Sequence, residues 1–405
     1  MLDRTVPLMM RGYAWLPDRL RRTGGRLVRT RLLGKPAVAL HGPEAVRFFY
    51  DEAHIRRRSA LPEPVISTLF GQGAVHTLDG DRHRERKSMF VSLLKDPAQV
   101  SALARGVEAE WDRARRDWAR RERVVLFDEV SVVLARAVCG WAGVRLTDDE
   151  ARETADDLVA MVDGFATLGP RHWRARAARN RQETRLAALV ARTREEPAAG
   201  GRVLQAVASH READGALLDP RTAAVELLNI IRPTVAVTWF MTFAAHALHR
   251  HPGMRRSLAE GDPEYARAFG QEVRRFYPFV PFLGGLAAKD LRWRDESIPA
   301  GVLVLLDVYG HHHDAALWAD PYTFDPQRFV GREPGRDELI PQGGGAVDAG
   351  HRCPGEDVTL ALLSTLIPRL ARLRYAVPRQ DLRIPLSRVP TRPRSGFVLT
   401  DVGTD

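Results

Sequence analysis

Apolar positions recur three and four residues apart through most of the chain. This spacing predicts helices over about 97–120, 126–143, 149–163, 171–195 and 219–250, and Ala, Leu, Arg and Glu fill them. A further helical pattern runs from Glu356 to Leu373. Strand signals are few and short: Ala37-Val38-Ala39-Leu40, ahead of the helical run PEAVRFFYDEA, and Val302-Leu303-Val304-Leu305-Leu306. No Pro/Gly/Ser linker, internal repeat or low-complexity tract interrupts the pattern. The expectation is one large domain over residues 1–405, mainly α with a small β region.

The stretch from Asp219 to His251 carries the most information. Asp219 is placed to cap a helix that begins at Pro220, and His251-Pro252-Gly253 ends it. The segment is long enough to span a bilayer, but Glu226, Arg232 and His246 argue for a core helix instead. Arg232-Pro233 in its middle is unusual. Proline removes a helical hydrogen bond, and arginine brings a permanent charge into apolar surroundings. The helical neighbours of Arg232 are Leu228, Asn229, Val235 and Ala236, none acidic, and Glu226 lies on another face. The helix therefore supplies no counter-ion. Either an acid elsewhere in the fold or a carboxylate ligand must pair with Arg232.

Composition narrows the class. The formal net charge is +10, nearly all of it from arginine. The basic residues are spread along helices such as RHWRARAARNRQETR, with no aromatic platform or zinc spacing, so a solvated basic face is expected and no nucleic-acid partner. Two cysteines far apart, Cys139 and Cys353, suit a reducing compartment rather than a disulfide framework. The first residues, MLDRTVPLMMRGYAWLPDRLRR, have no continuous apolar core, so neither a signal peptide nor a membrane anchor is expected and the location reads as cytoplasmic.

Cys353 stands in GGGAVDAGHRCPGE, after a Gly-rich loop and ahead of the helical pattern from Glu356. A cysteine so placed is suited to be a haem axial thiolate, with the helix N-terminus favouring its charge. The plainer reading is a buried structural cysteine. Two further segments change that weighting. Glu272 and Arg275 are three apart on a helix that ends before Pro278, and Arg328 lies in FDPQRF.

In this order and spacing, these residues resemble the cytochrome P-450 superfamily across essentially the whole chain. The resemblance implies the cytochrome P-450 fold clasping haem b, with Cys353 as the axial ligand to iron and Glu272, Arg275 and Arg328 as a structural triad. The central helix departs from the superfamily's usual pattern, in which an acid is followed by a threonine. Here Arg232-Pro233 precedes Thr234. NIIRPTVAV, TLFGQGAVHTLDG and HRERKSMF instead resemble the fatty-acid peroxygenase branch.

That branch implies hydrogen peroxide as co-substrate, a fatty acid as substrate and no obligatory redox partner. Arg232 then anchors the substrate carboxylate, which acts as the acid-base that the helix lacks. Oxidation falls next to the carboxyl group, as decarboxylation to terminal alkenes, α- or β-hydroxylation, or both. His76 corresponds to a position held by histidine in members that decarboxylate well and by glutamine in those that mainly hydroxylate, and it is expected to position the carboxylate or donate a proton. Phe70 packs beside it, and Pro233 shares the site. Phe279 and the stretch from Val162 to Leu168 are expected along the acyl channel. His83, Arg86, Lys87 and His351 are expected at the haem propionates. Consecutive His311, His312 and His313 point in different directions and have no second ligand group beside them, so they are not expected to bind metal. Two alternatives remain open. One is a redox-partner-dependent monooxygenase of secondary metabolism. The other is a non-catalytic haem-binding sensor.

Overall fold

The computed structural model describes residues 2–24, 27–196 and 201–403. Ten helices frame the site: α1 (Pro43–Tyr50), α2 (Gly80–Leu94), α3 (Pro97–Trp118), α4 (Leu126–Ala142), α5 (Asp148–Asp163), α6 (Pro170–Glu195), α7 (Pro220–Val235), α8 (Val237–Arg250), α9 (Pro263–Phe276) and α10 (Glu356–Arg372). The periodicity placed α3 to α6 within about two residues at most ends. Asp219 caps α7 by accepting from the backbone N–H of Arg221 and Thr222, with Pro220 in the first turn.

The 219–250 segment is two helices, not one. α7 stops at Val235, α8 starts at Val237, and Ala236 lies between them. Pro233 is the physical reason: it has no N–H to give the carbonyl of Asn229. Thr234 Oγ1 donates instead to the Ile230 carbonyl at 3.1 Å. The Pro220–Arg250 stretch, although apolar and long enough to cross a membrane, is buried in the interior except at its ends. It belongs to a cluster of buried residues drawn from Val75 to Val402, to which α3, α4, α5, α6 and α10 also contribute.

The sheet is small. Its strands are β1 (Val28–Leu32), β2 (Lys35–Leu40), β3 (Ile55–Arg56), β4 (Phe282–Ala287) and β5 (Leu303–Asp307), in the order β1-β2-β5-β4-β3. The two strands foreseen from sequence pair with each other in parallel, Ala37 opposite Leu303 and Leu40 opposite Leu306. Both are nearly continuous apolar runs, as a strand covered on two faces requires. α1 packs its Ala45, Val46 and Phe49 into the same cluster as Val304 and Leu306. That contact sets α1 against the Gly-rich loop.

Candidate active site

The loop before α10 holds Cys353. Gly343 has φ +96, and a Cβ there would come within 2.4 Å of Tyr50 Oη on α1. Only glycine allows this approach. The Cys353 N–H donates to the Gln342 carbonyl at 3.0 Å. Burial pushes the Cys353 thiol up, while the Gly355 N–H at the start of α10 and the Gln342 amide act in the opposite direction. Gln342 Nε2 lies 3.8 Å from Cys353 Sγ and donates to Thr359 Oγ1 at 3.0 Å. Arg274 holds the other end of that amide, with Nη2 2.9 Å from Gln342 Oε1, and it also bonds Glu356. Sequence reading missed both Gln342 and Arg274. The link spans 68 positions, and an arginine beside the Glu272-Arg275 pair carries no signal of its own.

Glu272 and Arg275 are fully buried and paired through two bonds, 2.6 and 2.7 Å. Arg275 also donates to the carbonyls of His312, Pro321 and Thr323. Arg328 Nε stands 3.7 Å from Glu272 Oε1, within ion-pair range but without a hydrogen bond. The three histidines take separate backbone partners. His311 Nε2 bonds the Glu338 carbonyl, His312 Nε2 accepts the Ile340 N–H, and His313 Nδ1 bonds the Tyr309 carbonyl.

On α2, His83 stacks on His351, with ring centroids 3.8 Å apart. Burial and the neighbouring His351 push His83 down to about 3. Lys87 Nζ donates to the loop carbonyls of Gly350 and, at 2.6 Å, Arg352, and burial lowers it to about 8. His83 Nδ1 is buried without a hydrogen-bond partner, and His351 Nε2 has none either but lies 3.8 Å from Asp79 Oδ1. An unpartnered histidine nitrogen beside a desolvated ammonium suits an anion. Arg57, which sequence reading missed, is a further buried cation nearby, packed over the Phe49 ring at 4.2 Å.

Arg86 does not join this group. Its guanidinium is buried and already bonded to Glu226, at 2.8 Å, and to Glu212. The expectation of a propionate contact from Arg86 is therefore corrected: two carboxylates from distant sequence neutralise it. Glu226 in turn accepts the Val75 N–H at 2.8 Å. It ties α7 to the short turn that carries His76, and so is not available to Arg232.

Arg232 is 5% exposed. Its one side-chain hydrogen bond is to Asn229 Oδ1, a neutral acceptor, at 3.3 Å, and its Nε is buried without a partner. No carboxylate lies within ion-pair distance of it among the described residues. Burial first, and then the nearby Arg179, hold its guanidinium well below the usual arginine range. Phe70 lies beneath it, 5.9 Å from ring centroid to Cζ, and the Phe70 and His76 rings are 4.4 Å apart. His76 Nδ1 is also buried without a partner. Burial, followed by the charge of Arg232, pushes His76 well below its ordinary value, so its imidazole is neutral near pH 7. Pro233 is partly exposed next to Arg232. Phe70 thus lies against both Arg232 and His76.

Farther out, a cavity of about 790 Å3 is lined by residues 165–168, Pro281 and Phe282. Val162 is instead packed in the main core. Phe279 packs on Phe240 of α8, 5.0 Å between centroids.

The turn at Ile66–Phe70 is held by α6. Arg179 donates to the carbonyls of Leu69 and Phe70, and Gly71 follows with φ +88. A Cβ at Gly71 would lie 2.2 Å from Arg179 Nη2. Gly71→Ala is expected to cost about 1–3 kcal/mol, from φ strain and displacement of the guanidinium. Thermal unfolding should show a clearly lower midpoint, and an unchanged midpoint would contradict the contact.

The residues fit a thiolate-ligated haem: Cys353 would hold the iron, and His83, His351 and Lys87 would offer polar atoms to its propionates. The comparisons agree. The cytochrome P450 family model matches residues 262–373, which include Glu272, Arg275, Arg328 and Cys353. Solved structures align over the full chain. Cytochrome P450SP alpha in complex with (R)-ibuprophen is 42% identical, covering 100% of both chains, with a TM-score of 0.96. Cytochrome P450EX alpha with myristic acid is 36% identical, covering 100% of this chain and 98% of that one, with a TM-score of 0.93. A variant of cytochrome P450 OleT in complex with arachidonic acid is 34% identical, covering 100% and 97%, with a TM-score of 0.96. With the cysteine loop, the Glu272–Arg275 pair and full-length likeness all in agreement, the chain belongs to the cytochrome P450 family, whose cofactor is thiolate-ligated haem.

Proposed function

We propose that this protein is a haem-thiolate peroxygenase that uses hydrogen peroxide to oxidise fatty acids next to the carboxyl group. The observation that carries the reading is Arg232, a buried cation that no carboxylate pairs with among the described residues. A fatty-acid carboxylate supplies the missing charge and takes the bidentate geometry that a guanidinium favours. The similar proteins crystallised with myristic and arachidonic acid support this choice of ligand. Phe70 and Phe279 offer apolar surface for the chain.

When bound, the haem supplies the chemistry that splits the peroxide O–O bond and oxidises the substrate. The protein's own part is to fix the acid-base group. Thr234 is not free for that role, because its hydroxyl is donated to the Ile230 carbonyl and no acid stands beside it. Arg232 holds the substrate carboxylate at the place where an acid would otherwise stand. There the carboxylate accepts a proton from peroxide and returns one to the departing oxygen, which leaves as water. Holding Cα and Cβ at a fixed distance from the site limits attack to those positions.

This reading needs no electron-transfer partner. Incubation of the purified protein with saturated acids of graded length and peroxide, followed by mass spectrometry, tests it. Alkenes or 2- and 3-hydroxy acids formed with peroxide alone are expected. Turnover that requires a ferredoxin or flavodoxin system would favour the monooxygenase alternative. A protein that gives neither product nor a spectral response to fatty acids would favour a sensor.

His76 sets the product balance. It is neutral, so it offers the carboxylate a single imidazole hydrogen bond rather than a second cation. The glutamine amide donates from a different position and cannot act as an imidazole does, and a misplaced bond of about 1 kcal/mol corresponds to about fivefold, so His76→Gln should move the alkene-to-hydroxy-acid ratio by about that much toward hydroxy acids. A ratio equal to that of the wild type would remove His76 from product choice.

A further inference from the structure

α6 is one of the most basic helices of the chain, and its arginines are mostly exposed (Arg174, Arg176, Arg181, Arg192) or half-buried (Arg171, Arg185, Arg194). Arg179 is the exception, at 2% exposure. Its nitrogens are fully engaged: Nε bonds Glu183 Oε1 at 2.6 Å, Nη1 the Leu69 carbonyl at 2.6 Å and Nη2 the Phe70 carbonyl at 2.7 Å. The second oxygen of Glu183 accepts from Arg221 Nη2, in the first turn of α7, at 3.0 Å.

The Phe70 carbonyl is shared. Asn229 Nδ2, on α7, donates to the same oxygen at 2.9 Å, and Asn229 Oδ1 accepts from Arg232 Nη2 at 3.3 Å. A continuous run of hydrogen bonds therefore leads from Arg179 through Phe70 and Asn229 to Arg232. The Phe70 ring, held by the same turn, lies under Arg232 and against His76. Gly71 completes the fit, since any side chain there would displace the Arg179 guanidinium.

We propose that Arg179 is a positioning residue. By gripping the Leu69 and Phe70 carbonyls, it fixes the Phe70 ring and the setting of Arg232 and His76 toward the substrate carboxylate. The inference rests on the fatty-acid reading above. α6 begins at the wall of the outer cavity, next to residues 165–168. Arg179 thus joins the helix that borders that cavity to the group that receives the carboxyl end.

A purely structural arginine would only hold α6 in place, and its loss would lower the melting temperature and the yield of folded protein. A positioning arginine also changes how the folded remainder handles substrate. In the haem-loaded protein, Arg179→Gln is expected to raise the Kd of a saturated fatty acid, read from its absorbance shift, and the KM by about tenfold or more. It should also redistribute product between Cα and Cβ. Arg179→Lys keeps the charge but reaches only one carbonyl at a time, so it should restore part of the affinity. Where Arg179→Gln does not fold, Glu183→Gln leaves the guanidinium in place with a weaker anchor, and it should raise KM about two- to threefold. Folded variants that melt lower but keep the wild-type Kd, KM and product distribution overturn the proposal. A wild-type protein that does not respond to fatty acids sinks the functional reading instead, and the two failures are told apart by the wild-type control.

Discussion

Arg232→Leu is expected to abolish peroxide-driven turnover of fatty acids, by about 10³-fold or more, while leaving the fold and the haem in place. The size follows from what is lost. The substrate carboxylate is both ligand and acid-base group, and general acid-base catalysis alone contributes about 10²–10⁴-fold. Without the guanidinium, the carboxylate has no charged partner in an apolar site, and burying it unpaired is costly. Binding and proton handling therefore fail together. The effect on stability should go the other way. Arg232 has no anionic partner among the described residues, and leucine, although shorter, removes a desolvated charge. The melting temperature should be equal or higher. Product assay by mass spectrometry and a thermal melt on the same sample check both halves. Retained turnover with an unchanged product distribution would place the carboxylate elsewhere. A collapsed melt would show that the guanidinium is held by contacts other than those to Asn229 and Phe70.

Arg232 was legible in the sequence because a helix's neighbours are fixed by periodicity. Positions three and four away are known before any fold is, and none was acidic. Cys353 and the Glu272–Arg275 pair were legible for the same local reason, a loop signature and a spacing of three. What escaped were contacts set by tertiary packing. Glu226 looked like a lone acid in an apolar helix, and its partner Arg86 lies 140 positions away. Arg86 was in turn expected at the propionates because it belongs to HRERK, yet its helical position aims it at Glu226 instead. Arg179 was hidden by abundance. In a chain with 61 lysines and arginines, a buried arginine among exposed ones on the same helix has no distinguishing residue type. The Pro233 break was foreseen as a cost but not as a division, because proline kinks some helices and ends others according to what satisfies the freed carbonyl.

The contrast between Arg232 and the other buried arginines argues for function. Arg86, Arg179, Arg274 and Arg275 each have a carboxylate within hydrogen-bond distance. Arg57 is also buried and has no ion pair among the described residues, but it donates to the Gly284 carbonyl at 3.0 Å and packs over the Phe49 ring. Arg232 lacks a carboxylate at the place where Phe70 and His76 converge, and His76 too carries an unpaired nitrogen.

Glu272→Ala should be the most damaging substitution to the fold. Arg275 would be left fully buried with its charge uncompensated, and breaking such a pair costs about 3–5 kcal/mol. That is a large share of the roughly 5–15 kcal/mol by which a domain is stable. The loss is compounded locally. Glu272 Oε1 also accepts the Asp325 N–H at 2.8 Å, so the same carboxylate fastens the segment that leads to the cysteine loop. The expected result is little soluble protein and a strongly reduced haem content per chain, measured by absorbance against total protein. Replacing both partners, Glu272→Ala with Arg275→Met, removes the stranded charge and should recover part of the stability. It should not recover all of it, because the carbonyls of His312, Pro321 and Thr323 lose their donor. A double variant no better than the single one would assign the cost to those carbonyls. A single variant with wild-type haem content would mean that the pair contributes little, against its complete burial.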